Sequence, residues 1–463
     1  MKFVRTLSAV LLSVLLLLSW SSCQKENVPL SGVASDWVTF SCDTLSFDTV
    51  FTAMGSTTRA LKIYNITQQD IVLASVTLQG GYASRFRLNV DGDTSMVARN
   101  IPIPAGDSIF VFVRVNINPN ASTEPFLVED ALCVTVQQEH LTLPLTAYGR
   151  NAVYHIPTDT LRNLEGEYYI DIFGNYYRYS VIDCDNWDHS RPHVIVGYAV
   201  VNSNTTLNLT AGDELYFYND AVLWVYDSAT LVAQGTEDRP VLFTSVRHDG
   251  WYDHQPGQWG YIWVSGGSVN TQIDHAIIEN GYRGLLVDTN VNSNPTLRIS
   301  NTEIRNHADV GLLCNTAWVT AQNVLVHTCG TAAVALLYGG RYDFGNCTLA
   351  GYWPYGTRKN GSLLMTNMYL YGETLYLYGF NSHFHDCIIY GTRNESEVET
   401  GLDDRAAVDT LFTHCLIKGG AWDEDPLFEN PTEGDYHLKE GSPAEGIGYR
   451  YPVVATEKSR RRK

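Results

Sequence analysis

Asn301-Thr302-Glu303-Ile304, Asn323-Val324-Leu325-Val326 and Asn346-Cys347-Thr348-Leu349 state one phrase three times: a polar residue, a small or sulfur-bearing one, any residue, then an aliphatic, with a turn behind it. The phrase starts upstream at His275-Ala276-Ile277-Ile278. It runs on as Asn367-Met368-Tyr369-Leu370, Asp386-Cys387-Ile388-Ile389 and His414-Cys415-Leu416-Ile417. Successive copies stand 26, 22, 23, 21, 19 and 28 residues apart. A unit this short cannot bury its apolar face alone, but stacked copies share one continuous core. Leucine-rich repeats have a similar period but require a recurring multi-Leu frame and helix-forming stretches, and neither is present. The period therefore predicts a solenoid of parallel strands with one coil per copy.

Stacking at ~4.8 Å per coil sets equivalent side chains above one another. Asn301, Asn323, Asn346 and Asn367 are then expected to form a ladder whose amides bond along the stack and satisfy turn backbone. The same alignment puts Cys347, Cys387 and Cys415 in an inward column with Ala276, Thr302, Val324 and Met368, where a free thiol behaves as a compact hydrophobe. Buried thiols are expected for these three, although exported chains meet oxidising conditions. Cys314 and Cys329 fall in neighbouring strands and are open to either state, and Cys42 and Cys133 are open to pairing across the first domain. No C-x-x-C occurs, which removes the usual zinc-ribbon and dithiol signals.

Ahead of the phrases lie Leu207-Asn208-Leu209-Thr210-Ala211-Gly212-Asp213 and the run 231–245, in which Gly235-Thr236-Glu237-Asp238-Arg239-Pro240 leads into Val241-Leu242-Phe243-Thr244-Ser245. These resemble the opening coils of right-handed parallel β-helix proteins, and Pro256-Gly257-Gln258-Trp259-Gly260 resembles the next turn. Asp425-Pro426-Leu427-Phe428, Gly434-Asp435-Tyr436-His437-Leu438 and Gly441-Ser442-Pro443-Ala444 are similar to the terminal coil of that family. The resemblance covers roughly residues 181–448 and implies an all-β, pectin lyase-like solenoid of the kind found in Bacteroidetes lipoproteins. It implies no reaction, because this fold hosts lyases, hydrolases and adhesins alike.

Between about residues 36 and 150 the chain is a series of short alternating runs, Leu61-Lys62-Ile63-Tyr64, Ile71-Val72-Leu73, 109–115, 132–136 and 141–147, broken by Asn, Gly, Asp and Pro. That pattern predicts a β-sandwich. Leu45-Ser46-Phe47-Asp48-Thr49-Val50, Ile63-Tyr64-Asn65, Ile103-Pro104-Ala105-Gly106-Asp107 and the closing Leu143-Pro144-Leu145-Thr146-Ala147-Tyr148-Gly149 resemble immunoglobulin-like domains of the abnormal-spindle and hydin type. Such domains imply a spacer or interaction module. Arg85, Arg87 and Asp91 near a strand end are read as a solvated rim.

Lys2 and Arg5 precede an apolar run from Leu7 to Leu18, too short to span a membrane and shaped like a secretory signal. Cys23 follows Trp20, Ser21 and Ser22, which resembles a lipobox, with Trp20 where Leu is usual. The resemblance implies cleavage after residue 22, acylation of Cys23 and, with Gln24 next, an outer-membrane address. A plain cleaved signal containing a Cys is the competing reading. The expected organisation is a signal at 1–22, a linker at 23–35, the sandwich at 36–150, a connector at 151–180, the β-helix at 181–448 and a basic tail at 449–463.

The net charge of −19, from 50 acidic against 31 basic residues, argues against a nucleic-acid partner. Twenty-eight Tyr and ten Trp against five Met suit strands and aromatic surfaces. The loop His248, Asp249, Trp251, Tyr252, Asp253 and His254 combines aromatic faces with acids and imidazoles, the set that stacks sugar rings and binds their hydroxyls. Trp353, Tyr355 and Arg358, with Tyr352 and Lys359 beside them, form a second such group that is expected to face the same groove. Packing on the coil below is the plainer reading of both. Asp403 and Asp404, among Glu395, Glu397, Glu399, Asp409 and Arg405, are the candidate calcium ligands, set against a solvated excursion. The His-Gly and Arg-Ile-Lys elements of polygalacturonases are missing. The expectation is a non-catalytic, glycan- or polymer-binding surface lipoprotein without a resident cofactor. A divergent polysaccharide lyase or hydrolase and a purely structural adhesin-like wall are the rivals. Two carboxylates and a cation converging on one wall would favour the enzyme.

Overall fold

The computed structural model describes residues 31–162, 168, 176–247 and 250–451. It separates into two compact units: residues 31–118 with Phe126–Gly149, and Pro119–Pro125 with 150–451. Among the described residues no helix is long and apolar enough to cross a membrane.

In the first unit, alternation of apolar and polar residues gives each strand one buried face. Ser108–Val115, for example, buries Ile109, Val111, Val113 and Val115 and turns the residues between them outward. Two antiparallel sheets result. One runs Val38–Phe40, Arg59–Asn65, Ser108–Val115, Phe86–Val90; the other runs Leu45–Phe51, Glu139–Arg150, Phe126–Val136, Ile71–Leu78, Val97–Ile103. Side chains from both, including Phe47, Ile63, Phe86, Val134 and Leu145, make one core. Cys42 and Cys133 are free thiols here and form no bridge.

The second unit is a parallel β-helix, in which the described residues place 24 strands in a single sheet that is parallel from His193–Val201 to Leu416–Ile417. Its coils have three walls. The first stacks Ile277, Glu303, Leu325, Thr348, Ile388 and Leu416 in register. The second stacks Trp224, Trp263, Leu286, Leu313, Ala335 and Leu364. The third stacks Gln272, Arg298, Thr320, Asp343, His383 and Leu411. Inside, Phe344, Phe384 and Phe412 lie ring on ring at 5.0 Å, within a core that runs through the coils.

The polar residue that opens the phrase is the corner between the third and first walls. His275, Asn301, Asn323, Asn346, Asp386 and His414 all adopt left-handed backbone, with φ between 46° and 55°, a region that Asn and Asp tolerate better than most residues. The ladder exists in part: Asn323 Nδ2 donates to Asn301 Oδ1 at 2.9 Å and Asn301 Nδ2 to Asp274 Oδ1 at 2.8 Å. Asn346 accepts instead from Gln322 Nε2 at 3.1 Å.

Asn367 does not belong to the ladder, and Met368 does not belong to the inward column. Thr348 pairs directly with Ile388, so the stretch between Asn346 and Asp386 is one long coil. Within it Met368–Tyr371 and Thr374–Leu377 form a side hairpin. Asn367 exchanges two bonds of 2.8 Å with the Asp403 backbone.

Cys347, Cys387 and Cys415 are buried free thiols, each donating to the carbonyl two residues back, Gly345, His385 and Thr413, at 3.3–3.4 Å. Cys314 and Cys329 are buried and free as well.

The C-terminal segment folds back across the first wall. Phe428, Tyr436, Ala444 and Ile447 cover Leu325, Ala350, Ile388 and Leu416. Three main-chain amides fix it: Gly448 to Asp386 O (2.8 Å), Tyr449 to Thr348 Oγ1 (2.9 Å) and Arg450 to Asn323 Oδ1 (2.7 Å).

Candidate functional site

The aromatic loops leave the solenoid at the corner between the first and second walls. A turn of 3-10 helix, Gly250–His254, presents Trp251 with 68% of its surface exposed. Tyr252 lies edge-on to it at 4.8 Å and receives the Arg247 guanidinium over its face. The turn is tied down by two amides stacked on successive coils. Asn280 Nδ2 donates to Asp253 O at 3.0 Å, Asn306 Nδ2 donates to His254 O at 2.8 Å, and Asn306 Nδ2 also reaches Asn280 Oδ1 at 2.7 Å. Both asparagines have positive φ, so they form a second corner ladder five residues beyond the first.

The other aromatic group comes to the same place. Tyr355, exposed, donates its hydroxyl to the His254 carbonyl, and Trp353 lies edge-on to Tyr355 at 4.9 Å. Two aromatic pairs separated by about a hundred residues of chain are thus joined through one carbonyl. Their chemistry suits stacking and hydroxyl bonding. Cys23, His248 and Asp249 lie outside the described residues.

Arg358 is a correction. Its side chain is 1% exposed and pairs at 2.6 Å with Glu397, itself wholly buried, and also donates to Gly351 O at 3.0 Å. Glu397 further accepts from the Ser362 amide and hydroxyl, both at 2.8 Å. A Cβ on Gly351 would overlap the Arg358 guanidinium, so that glycine makes the room. Arg358 therefore anchors the 352–361 loop from within and presents nothing to a ligand. Asp403 is also engaged: Arg405 grips its carboxylate through Nε (2.9 Å) and Nη2 (2.6 Å), and this bonding holds its pKa down at about 2. Asp404 is exposed beside it. Among the described residues no three His, Cys, Asp or Glu side chains stand as a ready metal-binding group.

The sequence reading missed a charged convergence on the first wall. Arg305 bonds Glu279 through Nη2 (2.7 Å) and Nε (2.8 Å) and Glu303 through Nη1 (2.9 Å), while His327 Nε2 meets the same Glu303 oxygen at 2.9 Å. Burial works to raise the Glu303 pKa, but the Arg305 charge and the His327 bond outweigh it and bring it to about 2. His327 is pushed below the usual imidazole range by burial and packs against Tyr436 of the C-terminal segment. Glu303 is therefore held as a carboxylate and is no proton donor near neutral pH. The signal available in sequence was Glu303 at the third position of its phrase, where the coils on either side carry Ile277 and Leu325, followed two residues on by the polar column Glu279, Arg305 and His327.

A scan against models of known protein families finds no match, and a search of curated proteins finds none either. Among solved structures the chain is similar to a family 123 glycoside hydrolase from Clostridium perfringens at 7% identity and a TM-score of 0.18, over 24% of this chain and 26% of that one. It is similar to the VesB protease of Vibrio cholerae at 8% identity and 0.18, over 25% and 32%. The E. coli chaperone DraB matches at 11% identity and 0.18, over 25% and 54%. The chain spans only 26%, 32% and 54% of these three structures, and likenesses at such scores carry no argument.

Proposed function

We propose that this chain is an exported cell-envelope lipoprotein of the Bacteroidetes β-helix type, acylated at Cys23 and held at the outer membrane. Its solenoid binds glycans or other surface polymers without cleaving them, and the sandwich, an immunoglobulin-like domain in this reading, acts as a spacer. The observation that carries the binding role is the joined aromatic corner, where the exposed Tyr355 bonds the His254 carbonyl of the turn that presents the exposed Trp251, a turn fixed by Asn280 and Asn306. Exposed rings on a fixed turn and the loop bonded to it present stacking area at small entropic cost.

The rival reading, a lyase or hydrolase with a divergent site, is favoured by one observation, the convergence of Glu279 and Glu303 on Arg305. Against it, those acids are already bonded to Arg305, Thr244 and His327. The deciding experiment is a glycan array probed with the purified chain, followed by product analysis on every hit. Binding without new reducing or unsaturated ends supports the first reading. New ends that vanish in Glu303→Gln support the second, and binding to no glycan would sink both.

A further inference from the structure

A spacer has no use for the charge pattern on one sheet of the sandwich. The four strands Val38–Phe40, Arg59–Asn65, Ser108–Val115 and Phe86–Val90 carry Arg59, Lys62, Arg87 and Arg114 and no Asp or Glu, in a chain whose net charge is −19. On the outward face Arg114 stands directly opposite Arg87, and Phe112 directly opposite Asn89. Like charges facing each other across a ladder are destabilising, so this pair costs stability unless a counter-charge meets it. Among the described residues no carboxylate does. Arg87 Nη1 donates to the Ser84 and Phe86 carbonyls at 2.7 and 2.6 Å, and Arg114 has no partner among them. Asp91 lies level with Phe110, whose carbonyl its amide meets at 3.1 Å. That is ~13 Å along the strand from Arg114 at ~3.4 Å per residue, beyond a screening length of ~10 Å at 0.1 M salt. The carboxylate of Asp93 is taken by the Ser95 amide at 2.8 Å.

A concavity of about 380 Å³ opens beside the pair, with Arg87, Arg114, Asn89, Phe112 and Thr94 in its lining, within the ~300–1,000 Å³ usual for small-ligand sites. Phe112 is 40% exposed and lies nearly parallel to Phe110, with ring centroids 5.9 Å and planes 14° apart, so an aromatic surface runs along the strand from the arginines. Each group has a counterpart in a charged sugar. Guanidinium forks match the oxygens of a carboxylate or sulfate two at a time. An exposed ring takes the apolar face of a pyranose. The Asn89 amide and the Thr94 hydroxyl supply donors and acceptors for sugar hydroxyls. A neutral sugar would leave the two arginines facing each other, so the charge selects the acidic class.

We propose that this face of the sandwich binds an acidic glycan, a sugar chain bearing carboxylate or sulfate groups, with one anionic group held between Arg87 and Arg114 and the adjoining sugar on Phe112. The site is distinct from the aromatic corner of the solenoid and stands whether or not that corner binds.

The test is calorimetric titration of the purified chain with an oligogalacturonate, its methyl ester and a sulfated galactan oligosaccharide. At least one acidic probe is expected to bind with a Kd below about 1 mM, at least tenfold tighter than the ester, and more weakly as salt is raised. The tighter of the two acidic probes tells carboxylate from sulfate. Arg114→Gln is expected to weaken binding at least tenfold while keeping or raising the melting temperature, because it relieves the like-charged pair. Phe112→Ala should weaken binding as well, and Trp251→Ala, at the corner of the solenoid, should bind the acidic probe as the parent does. Failure of both acidic probes to bind, equal binding of the ester, undiminished binding in Arg114→Gln or an equal loss in Trp251→Ala would overturn the proposal. So would binding to phosphatidylglycerol vesicles that Arg114→Gln abolishes while no acidic oligosaccharide binds, an outcome that assigns the face to a lipid surface.

Discussion

Arg358 and Glu397 show what one pair of side chains contributes. Both are fully enclosed; although Arg358 Nε has no partner among the described residues, the bonds between the two charges and to Gly351 and Ser362 offset a desolvation that either charge alone would meet unpaired. Removing one partner strands the other. Arg358→Met should destabilise the second unit by ~3–5 kcal/mol, read as a shift in urea midpoint, and adding Glu397→Gln should recover a substantial part. The sequence offered Arg358 as an exposed cation because it follows an aromatic loop. Its burial depends on Gly351, seven residues earlier, and on Glu397 from the next coil, and no local pattern links those three. The corner asparagines were easier to read. Their recurrence is local, and its cause, left-handed backbone at each corner, is a property of single residues. Asn367 misled because composition alone resembles the phrase, while its φ lies outside the left-handed set.

Among the elements, the turn Gly250–His254 is the one to perturb. Trp251→Ala should leave the melting temperature essentially unchanged, since most of the ring is in solvent, and should weaken binding to any glycan identified on the array by roughly tenfold, the equivalent of ~1.4 kcal/mol. Asn306→Ala should weaken it too, by releasing the carbonyl of His254, and should also lower stability through the lost corner bonds. Binding unaffected by both would mean that the ligand sits elsewhere. Each of the two aromatic loops was visible in the sequence as an aromatic cluster, but the bond between them was not. Coils of unequal length, one of them carrying the Met368–Tyr371 and Thr374–Leu377 hairpin, remove any simple relation between separation in sequence and adjacency in space.

At the scale of the whole molecule, acid is the informative variable. Burial lowers the imidazole pKa of His193 and of His307 to about 4, against ~6.5 in an unfolded chain. The unfolded state therefore takes up protons first as pH falls. Stability should be complete above ~6.5 and decline down to about 4, seen as a falling urea midpoint between pH 7.5 and 5. Glu303, held at about 2, acts in a separate window: its contribution is present above the unfolded carboxyl value near ~4.3 and is lost only below it. A midpoint flat from pH 7.5 to 5 would contradict the histidine assignment. Removal of the C-terminal segment from residue 425 onward should expose Leu325, Ile388 and Leu416, so that the shortened chain associates in size-exclusion chromatography where the parent does not.

That segment also imposes a sequence in time. The coils pair with neighbours only about twenty to forty residues away, so a chain emerging from its first residue onward can lay each coil on the last. The bond from the Arg450 amide to Asn323 spans 127 residues and cannot close until residue 450 has been made. The strap thus works as a late seal: the first wall stays apolar and open to chaperones or proteases until the segment carrying Phe428, Tyr436, Ala444 and Ile447 has been made and laid across it.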